Sequence, residues 1–410
     1  IEQRASIESP DTPISSENII KFFGLDGLSS AGVTVNYNNA WGVPAVMAAI
    51  QFLSGTIASL PLNVYKKTEN GREKQKTGLQ NILHDAVTDD CTSFQWRKYM
   101  MERVLGGGGR SLTYIERDNN DRVTNLFSIN PSKVEIKETG FKKEYIYKPG
   151  SRQPIKYNSN EIIDITFALE ADGLTAISPI MNSKDAIGLM IAATNYGAKF
   201  FENGGVPPFV ITGKFTTGAG LKRGSDDLQN AIKKASVEKR LALTLPDGHE
   251  LKTIGADPEK SQLVELKRFQ IEEISRIYSL PPVFLQDLTH GTFSNTEQQD
   301  LHLVKHTVRR WITAIEQELN LKLFGRENTT DYVEFNVDGL LRGDFSSRMA
   351  GYATGIQNAI LKPNEVRSAE NRPEEDNGND LLIQGATVPL GTQKMQENTN
   401  TNTDTGEEDA

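Results

Sequence analysis

The stretch from Ser279 to Phe324 limits what this chain can fold into more than any other. Pro281 and Pro282 have no N–H to donate and their rings block helix continuation, so a helix arriving from the N-terminal side must stop there. Past the polar run Gln286 to Phe293, Ser294 and Glu297 stand at capping-box spacing, which predicts a new helix start. Leu301, Val304, Val308, Ile312, Ile315 and Leu319 then recur every three or four residues, the apolar stripe of one helix. From Asn295 to Leu323 such a helix would be about 40 Å long. An exposed loop with Gly291 at its tip, hung between two long helices, is the first candidate for function, because rigid scaffolds tend to carry function on their loops.

Taken in order, the chain opens with a polar lead-in to about residue 35 that has little to bury. Pro44 to Ala58 has helical periodicity (Val46, Met47, Ile50, Phe52, Leu53, Ile57), and Leu60-Pro61 ends it. A strand is expected at Leu62 to Tyr65, a hairpin at Glu69-Asn70-Gly71, and a helix from Ser93, as its cap, to Leu105. Gly106 to Gly109 breaks that helix and reads as a flexible connection. It lacks the Lys and the preceding strand that a phosphate-cradling loop needs. Short strands follow at 112–116, 123–129, 134–136, 145–147 and 162–165, giving a β-rich α+β region over residues 60–167. Ser178-Pro179 starts a helix to about Phe201. One face carries Ile180, Ile187, Ile191 and Ala198; the other carries Ala186, Met190, Ala193, Gly197 and Phe200. Such a helix is either central to a large core or packed between subunits. An insert over 206–260 is expected to hold a strand at Phe209 to Thr212, a short helix near Asp226 to Val237 and a hairpin at Pro246-Asp247-Gly248. A helix from Ser261 to Tyr278 follows, with Arg268, Glu272 and Arg276 as a charged ladder. A strand at Tyr332 to Val337 and helices carrying Met349, Tyr352, Ile356 and Ile360, then Pro363 to Arg367, precede an Asn/Thr/acidic tail expected to be disordered from Gly391.

Few chemistries survive this inspection. Lys plus Arg number 45 against 54 Asp plus Glu, a formal net charge of -9, so bulk charge does not bind this chain to nucleic acid. Cys91 is the only cysteine, which excludes an intrachain disulfide and a cysteine metal site. No apolar run is long enough to span a membrane, and the N-terminus lacks a signal pattern. His302 and His306 stand at zincin spacing, but Leu303 occupies the position where the base Glu belongs. Glu272, Glu273, Glu316 and Glu318 fall on helix faces where charge ordinarily meets solvent. Nothing in the pattern points to an enzyme, a cofactor or a metal. The loop Gln286 to Phe293 has no Lys or Arg, so any contact it made with nucleic acid would be loose.

Several segments in this order resemble the portal proteins of long-tailed double-stranded DNA phages. They are Ala176-Ile177-Ser178-Pro179-Ile180, Phe200-Phe201-Glu202-Asn203-Gly204-Gly205-Val206-Pro207, Tyr278-Ser279-Leu280-Pro281-Pro282, Ile315-Glu316-Gln317-Glu318-Leu319-Asn320, Leu340-Leu341-Arg342-Gly343-Asp344 with Arg348, and Asn364-Glu365-Val366-Arg367. The chain departs from the family at Ala176 or Ile177, often Gly, and near Val308, often Pro. The resemblance implies an α+β portal-type subunit. Its parts would be an arm (1–39), a wing (40–178), a first stem helix (179–204), a clip (205–260) and a second stem helix (261–280). A tunnel loop and long kinked helix returning to the wing (281–338), a helical crown (339–389) and an acidic tail (390–410) would complete it. It further implies a ring of about twelve copies at one capsid vertex, assembled in the host cytoplasm, through which double-stranded DNA is packaged and ejected. Major capsid protein, terminase large subunit and then a head–tail adaptor would be its partners. Site residues would be Asp287, Leu288, His290, Thr292, Phe293 and Asn295 at the bore, Lys222, Arg223, Lys233 and Lys234 on the clip, and Ala186, Met190, Ala193 and Gly197 between neighbours. Two alternatives stay open: another capsid-associated ring or accessory protein, and a metal hydrolase using His302 and His306.

Overall fold

The structure, a computed structural model, describes residues 27–202, 209–212, 226, 250–253, 260–285, 296–337, 340, 345–370 and 372–383, other than positions 70, 141 and 151. The chain separates into two units, Ile1–Val337 and Asp338–Ala410. In the first, residues from Gly27 on are packed on the body, within the polar lead-in expected to run to about residue 35. Ser30 donates from its N–H and its hydroxyl to Asp185 (2.7 and 2.9 Å), and Val35 is buried.

Asn36 and Asn39 exchange side-chain-to-backbone bonds and start α1 (Tyr37–Trp41). Pro44 at the first helical position starts α2 (Pro44–Ser59). There follow the hairpin strands β1 (Leu62–Thr68) and β2 (Gly71–Lys74), α3 (Gly78–His84), the short pair β3 (Ala86–Thr88) and β4 (Cys91–Thr92), and α4 (Ser93–Gly106). The cap of α4 is Thr92, which forms a reciprocal capping box with Gln95. Ser93, the expected cap, is buried and donates to the Leu83 carbonyl.

α2 packs on α4, burying Ile50, Leu53 and Ile57 on one helix and Trp96, Met100 and Val104 on the other. Each such side chain is worth about 1.5–3 kcal/mol. Arg97 lies inside this core. Its Nε and Nη2 donate to the Ala58 carbonyl (3.2 and 2.9 Å) and its Nη1 to the Leu83 carbonyl (2.8 Å). Those carbonyls belong to the last turns of α2 and α3, so one guanidinium satisfies the ends of two helices. Burial pulls its pKa down to about 10.

The glycine run is no loose connection. A Cβ on Gly106 would stand 2.6 Å from the Trp41 ring, and one on Gly109 (φ +77°) 2.1 Å from the Ile177 carbonyl oxygen. Ser178 also donates to the Gly107 carbonyl. The glycines let α4, the next strand and the chain entering residue 178 meet backbone to backbone.

Six antiparallel strands follow: β5 (Arg110–Arg117), β6 (Val123–Ile129), β7 (Val134–Thr139), β8 (Lys142–Tyr147), β9 (Ile155–Asn158) and β10 (Ile162–Thr166). They form two three-stranded sheets, ordered β10-β5-β6 and β7-β8-β9, which share a core of Leu112, Ile129, Tyr145 and Ile162. Arg110 and Asp164 make a buried ion pair (2.9 Å), and the Tyr145 hydroxyl donates to the other Asp164 oxygen (2.9 Å).

The helix expected from Ser178 is broken at Ser183 into α5 (Pro179–Asn182) and α6 (Lys184–Glu202). β11 (Phe209–Thr212) pairs with β12 (Glu250–Thr253). α7 (Lys260–Tyr278) then precedes α8 (Thr296–His302), a π-helical segment at Leu303–Val308, and α9 (Arg309–Leu323). β13 (Asp331–Phe335) returns to pair with β1, Leu62 opposite Phe335 and Tyr65 stacked on Tyr332. The Ser294 cap and the tail from Gly391 lie outside the described residues.

Glu316 and Glu318 do not face solvent. Glu316 accepts the Phe335 N–H (2.7 Å) and Glu318 the Asp164 N–H (3.0 Å), each at an outer strand of a sheet. Asn320 both accepts from and donates to Val333. α9 thereby covers edges that would otherwise be open to pairing. In the second unit, α10 (Phe345–Gln357) and α11 (Pro363–Ala369) are tied by Arg348 and Tyr352 bonding Glu370. Ile360, expected on the helical stripe, lies past the end of α10 and is 72% exposed.

Replacing Arg97 with Met orphans both helix ends while roughly keeping volume, so unfolding free energy should fall by about 3 kcal/mol in urea titrations. For Glu316, burial foremost, and then Glu334, push the carboxyl pKa up, with the Phe335 N–H opposing. A folded pKa above the unfolded one favours the fold at low pH, and that contribution is lost as pH rises through the raised value. Glu316→Gln keeps the acceptor, so at pH 7 it should be at least as stable as wild type, with any advantage closing below the usual glutamate range. Glu316→Ala should lose about 1–3 kcal/mol.

Candidate functional site

α6 and α7 pack side by side and bracket the insert, with β11 and β12 pairing at its base. α7 ends where the two prolines required. Tyr278 is fully buried and donates to the Leu105 carbonyl (3.2 Å), with burial pushing its pKa up. Ser279 adopts φ +54°, a left-handed corner that a serine occupies only at some cost. The Leu280 N–H reaches back to Ser275 (2.8 Å), and a 3-10 turn, Pro282–Leu285, sets Phe284 against Phe52 at 5.1 Å between ring centres.

The chain re-enters the described region as α8 and passes into the π segment, where the Arg309 N–H bonds to Val304, five residues back. Thr307, buried in that segment, donates to the Ser279 carbonyl. That bond ties the exit of α7 to the π turn of the long helix. A cleft of about 570 Å³ adjoins it, lined by Arg276, Ser279, Gln299, His302 and His306 among others. Arg276 is engaged by Glu272 and Glu273, while the two histidine rings lie exposed, 4.5 Å apart. Among the described residues no three His, Cys, Asp or Glu side chains are grouped to hold a metal. Nor is any helix there long and apolar enough to cross a membrane.

Asp287, Leu288, His290, Thr292, Phe293 and Asn295 lie outside the described residues, as do Lys222, Arg223, Lys233 and Lys234. The four residues expected between neighbours divide. Met190, Ala193 and Gly197 are buried within this chain, which leaves them little surface for a second copy. Ala186 lines a cleft of about 670 Å³ with Leu189 and Phe269, into which the buried Gln270 carries an Oε1 without a partner. The large apolar side chains that α6 and α7 leave exposed are Leu189, Tyr196, Phe201, Val264 and Phe269. A facing error of one residue, about 100° of rotation about the helix axis, explains the difference. From sequence the small-residue face looked made for a neighbour, but Gly188 on α6 admits Ser29 and Val35 of the same chain. The periodicity runs unbroken through Thr307 and gave no sign of the π turn; only the resemblance, with its kinked helix and a frequent Pro near Val308, pointed to an irregularity there.

A stem-like helix pair carrying an insert, and a sheet-rich region stapled by a long helix that bonds back to the exit of that pair, define a connector subunit. Residues 44–371 match the phage portal protein family, and the chain belongs to it. It is 28% identical over 363 residues to the probable portal protein of Streptomyces phage phiC31, covering 85% of this chain and 78% of that one. With the portal protein of Enterobacteria phage HK97 it shares 26% over 376 residues, covering 89% and 88%. Among solved structures, a HK97-family phage portal protein from Corynebacterium diphtheriae superposes with a TM-score of 0.56 at 15% identity, covering 74% of this chain and 96% of that one. The neck of an empty gene transfer agent particle superposes with a TM-score of 0.57 at 16% identity, covering 80% and 90%. These structural likenesses establish a common fold.

Ser279→Gly should leave stability unchanged or slightly higher, because glycine adopts the corner freely; Ser279→Val should cost about 1–3 kcal/mol. Thermal melts of the two variants side by side check this.

Proposed function

We propose that this portal protein assembles about twelve copies into a closed ring at one capsid vertex and that double-stranded DNA enters and leaves through the axis. Residues 286–295 form the constriction. The insert over 205–260 is the docking face, first for a terminase that hydrolyses ATP and then for a head–tail adaptor. The family match over residues 44–371 carries this reading. The Thr307–Ser279 bond supports it, since it fixes the scaffold from which the chain leaves at Leu285. Twelve is the symmetry under which the neck of a native gene transfer agent particle, similar in fold, was computed.

Ring packing falls on the exposed apolar side chains Leu189, Tyr196, Val264 and Phe269 of the helix pair rather than on Met190, Ala193 and Gly197. A closed ring repeats one heterologous contact until it meets itself, so these side chains would lie against a different surface of the next copy.

Native mass spectrometry of the purified 45.4 kDa chain should give a species of about half a megadalton. Deleting Leu288–Thr292 should leave that species intact and impair packaging or retention of DNA in particles. Normal packaging and retention by the deletion would remove the constriction from 286–295. A chain that stays monomeric even with shell protein supplied would remove the ring.

A further inference from the structure

Resting on the portal function above, we infer that the exposed basic cluster around the π turn of the long helix, His302, Lys305, His306 and Arg309, is a contact surface for the phosphates of the duplex. The chain is acidic overall, yet no Asp or Glu occurs between Asp300 and Glu316, where Lys305, Arg309, Arg310 and both histidines are gathered. All five are exposed. His302 and His306 stand side by side, their imidazoles 4.5 Å apart, and Lys305 and Arg309 are exposed on the same short stretch around the π turn.

Among the described residues Lys305 and Arg309 also have no acidic partner. Elsewhere, surface cations such as Arg72, Lys148 and Arg276 sit against Glu334, Glu135 and Glu272. Arg310 is different: its guanidinium stands over the Phe167 and Trp311 rings (5.8 and 5.0 Å), which holds it to the body of the subunit.

Position selects the ligand. The loop Gln286 to Phe293 has no Lys or Arg, and Arg276 beside the cleft is held by Glu272 and Glu273, so the positive charge left for a polyanion there is on the helix that follows. A cluster of ammonium, guanidinium and imidazole groups without surrounding aromatics recognises phosphate charge and not base identity. Few contacts per subunit give weak, salt-sensitive attraction, which lets a strand move past.

The test uses full-length rings of wild type, Lys305→Gln/Arg309→Gln, and a control, Lys74→Gln/Lys76→Gln, whose lysines are equally exposed on the sheet-rich region. Each is titrated with a short labelled DNA duplex over a range of sodium chloride. Each lost phosphate contact flattens the slope of log affinity against log salt by about 0.9. The helix variant should therefore flatten it by about 2 for every subunit that touches the duplex, while the control keeps the wild-type slope. Equal slopes in all three rings overturn the inference. So does loss of the ring in the helix variant alone, which would make this cluster a contact with acidic groups of the neighbouring copy. Wild-type chain that forms no ring would instead overturn the portal function itself, and this inference with it.

Discussion

The polar side chains along α9 carry the architecture of the first unit. Glu316 and Asn320 hold β13, Glu318 holds β10, and Lys322 reaches the Ser159 carbonyl and hydroxyl. Arg117 of β5 returns the contact by donating to the Lys322 carbonyl. Without these bonds two sheet edges would expose unpaired N–H groups, and segments about 150 residues apart would have only apolar contact to join them. Because α9 continues through the π turn into α8, the corner where α7 exits inherits its fixity from these staples.

Much of this was legible in the chain. The elements whose signals are local appeared near their expected places: α2 after Pro44, β6 at its stated ends, and the stop at Pro281-Pro282. What failed was the judgement of which side of a helix faces what. The carboxylates of Glu316 and Glu318 carry no mark in the sequence to say that a strand edge waits for them. Only the fold brings Phe335 and Asp164 to those positions. Met190, Ala193 and Gly197 likewise read as a surface for another copy, yet they are buried within this chain.

The glycine run teaches the same lesson in reverse. Four consecutive glycines suggest slack, yet Gly106 and Gly109 are there because an indole and a carbonyl leave no room for a Cβ. The family segment Ala176 to Ile180 begins at this junction, where Ser178 caps α5 and bonds Gly107. Of the bore and docking residues anticipated from the resemblance, none lies among those described. The sequence alone speaks for them.

The π turn at Leu303–Val308 acts as a phase slip. It spends one residue more than an α turn does, and each residue of helix corresponds to a rotation of about 100°. The hydrophobic stripe therefore cannot run straight across it: Val304, Val308 and Ile312 are buried, while Leu301, in step with them by count, is 42% exposed. A single rod thus presents two faces out of step. The α9 end is keyed to the sheets, and the α8 end is free to aim its side chains by a setting of its own. Strand pairing at one end and loop orientation at the other can vary without each rewriting the other's sequence.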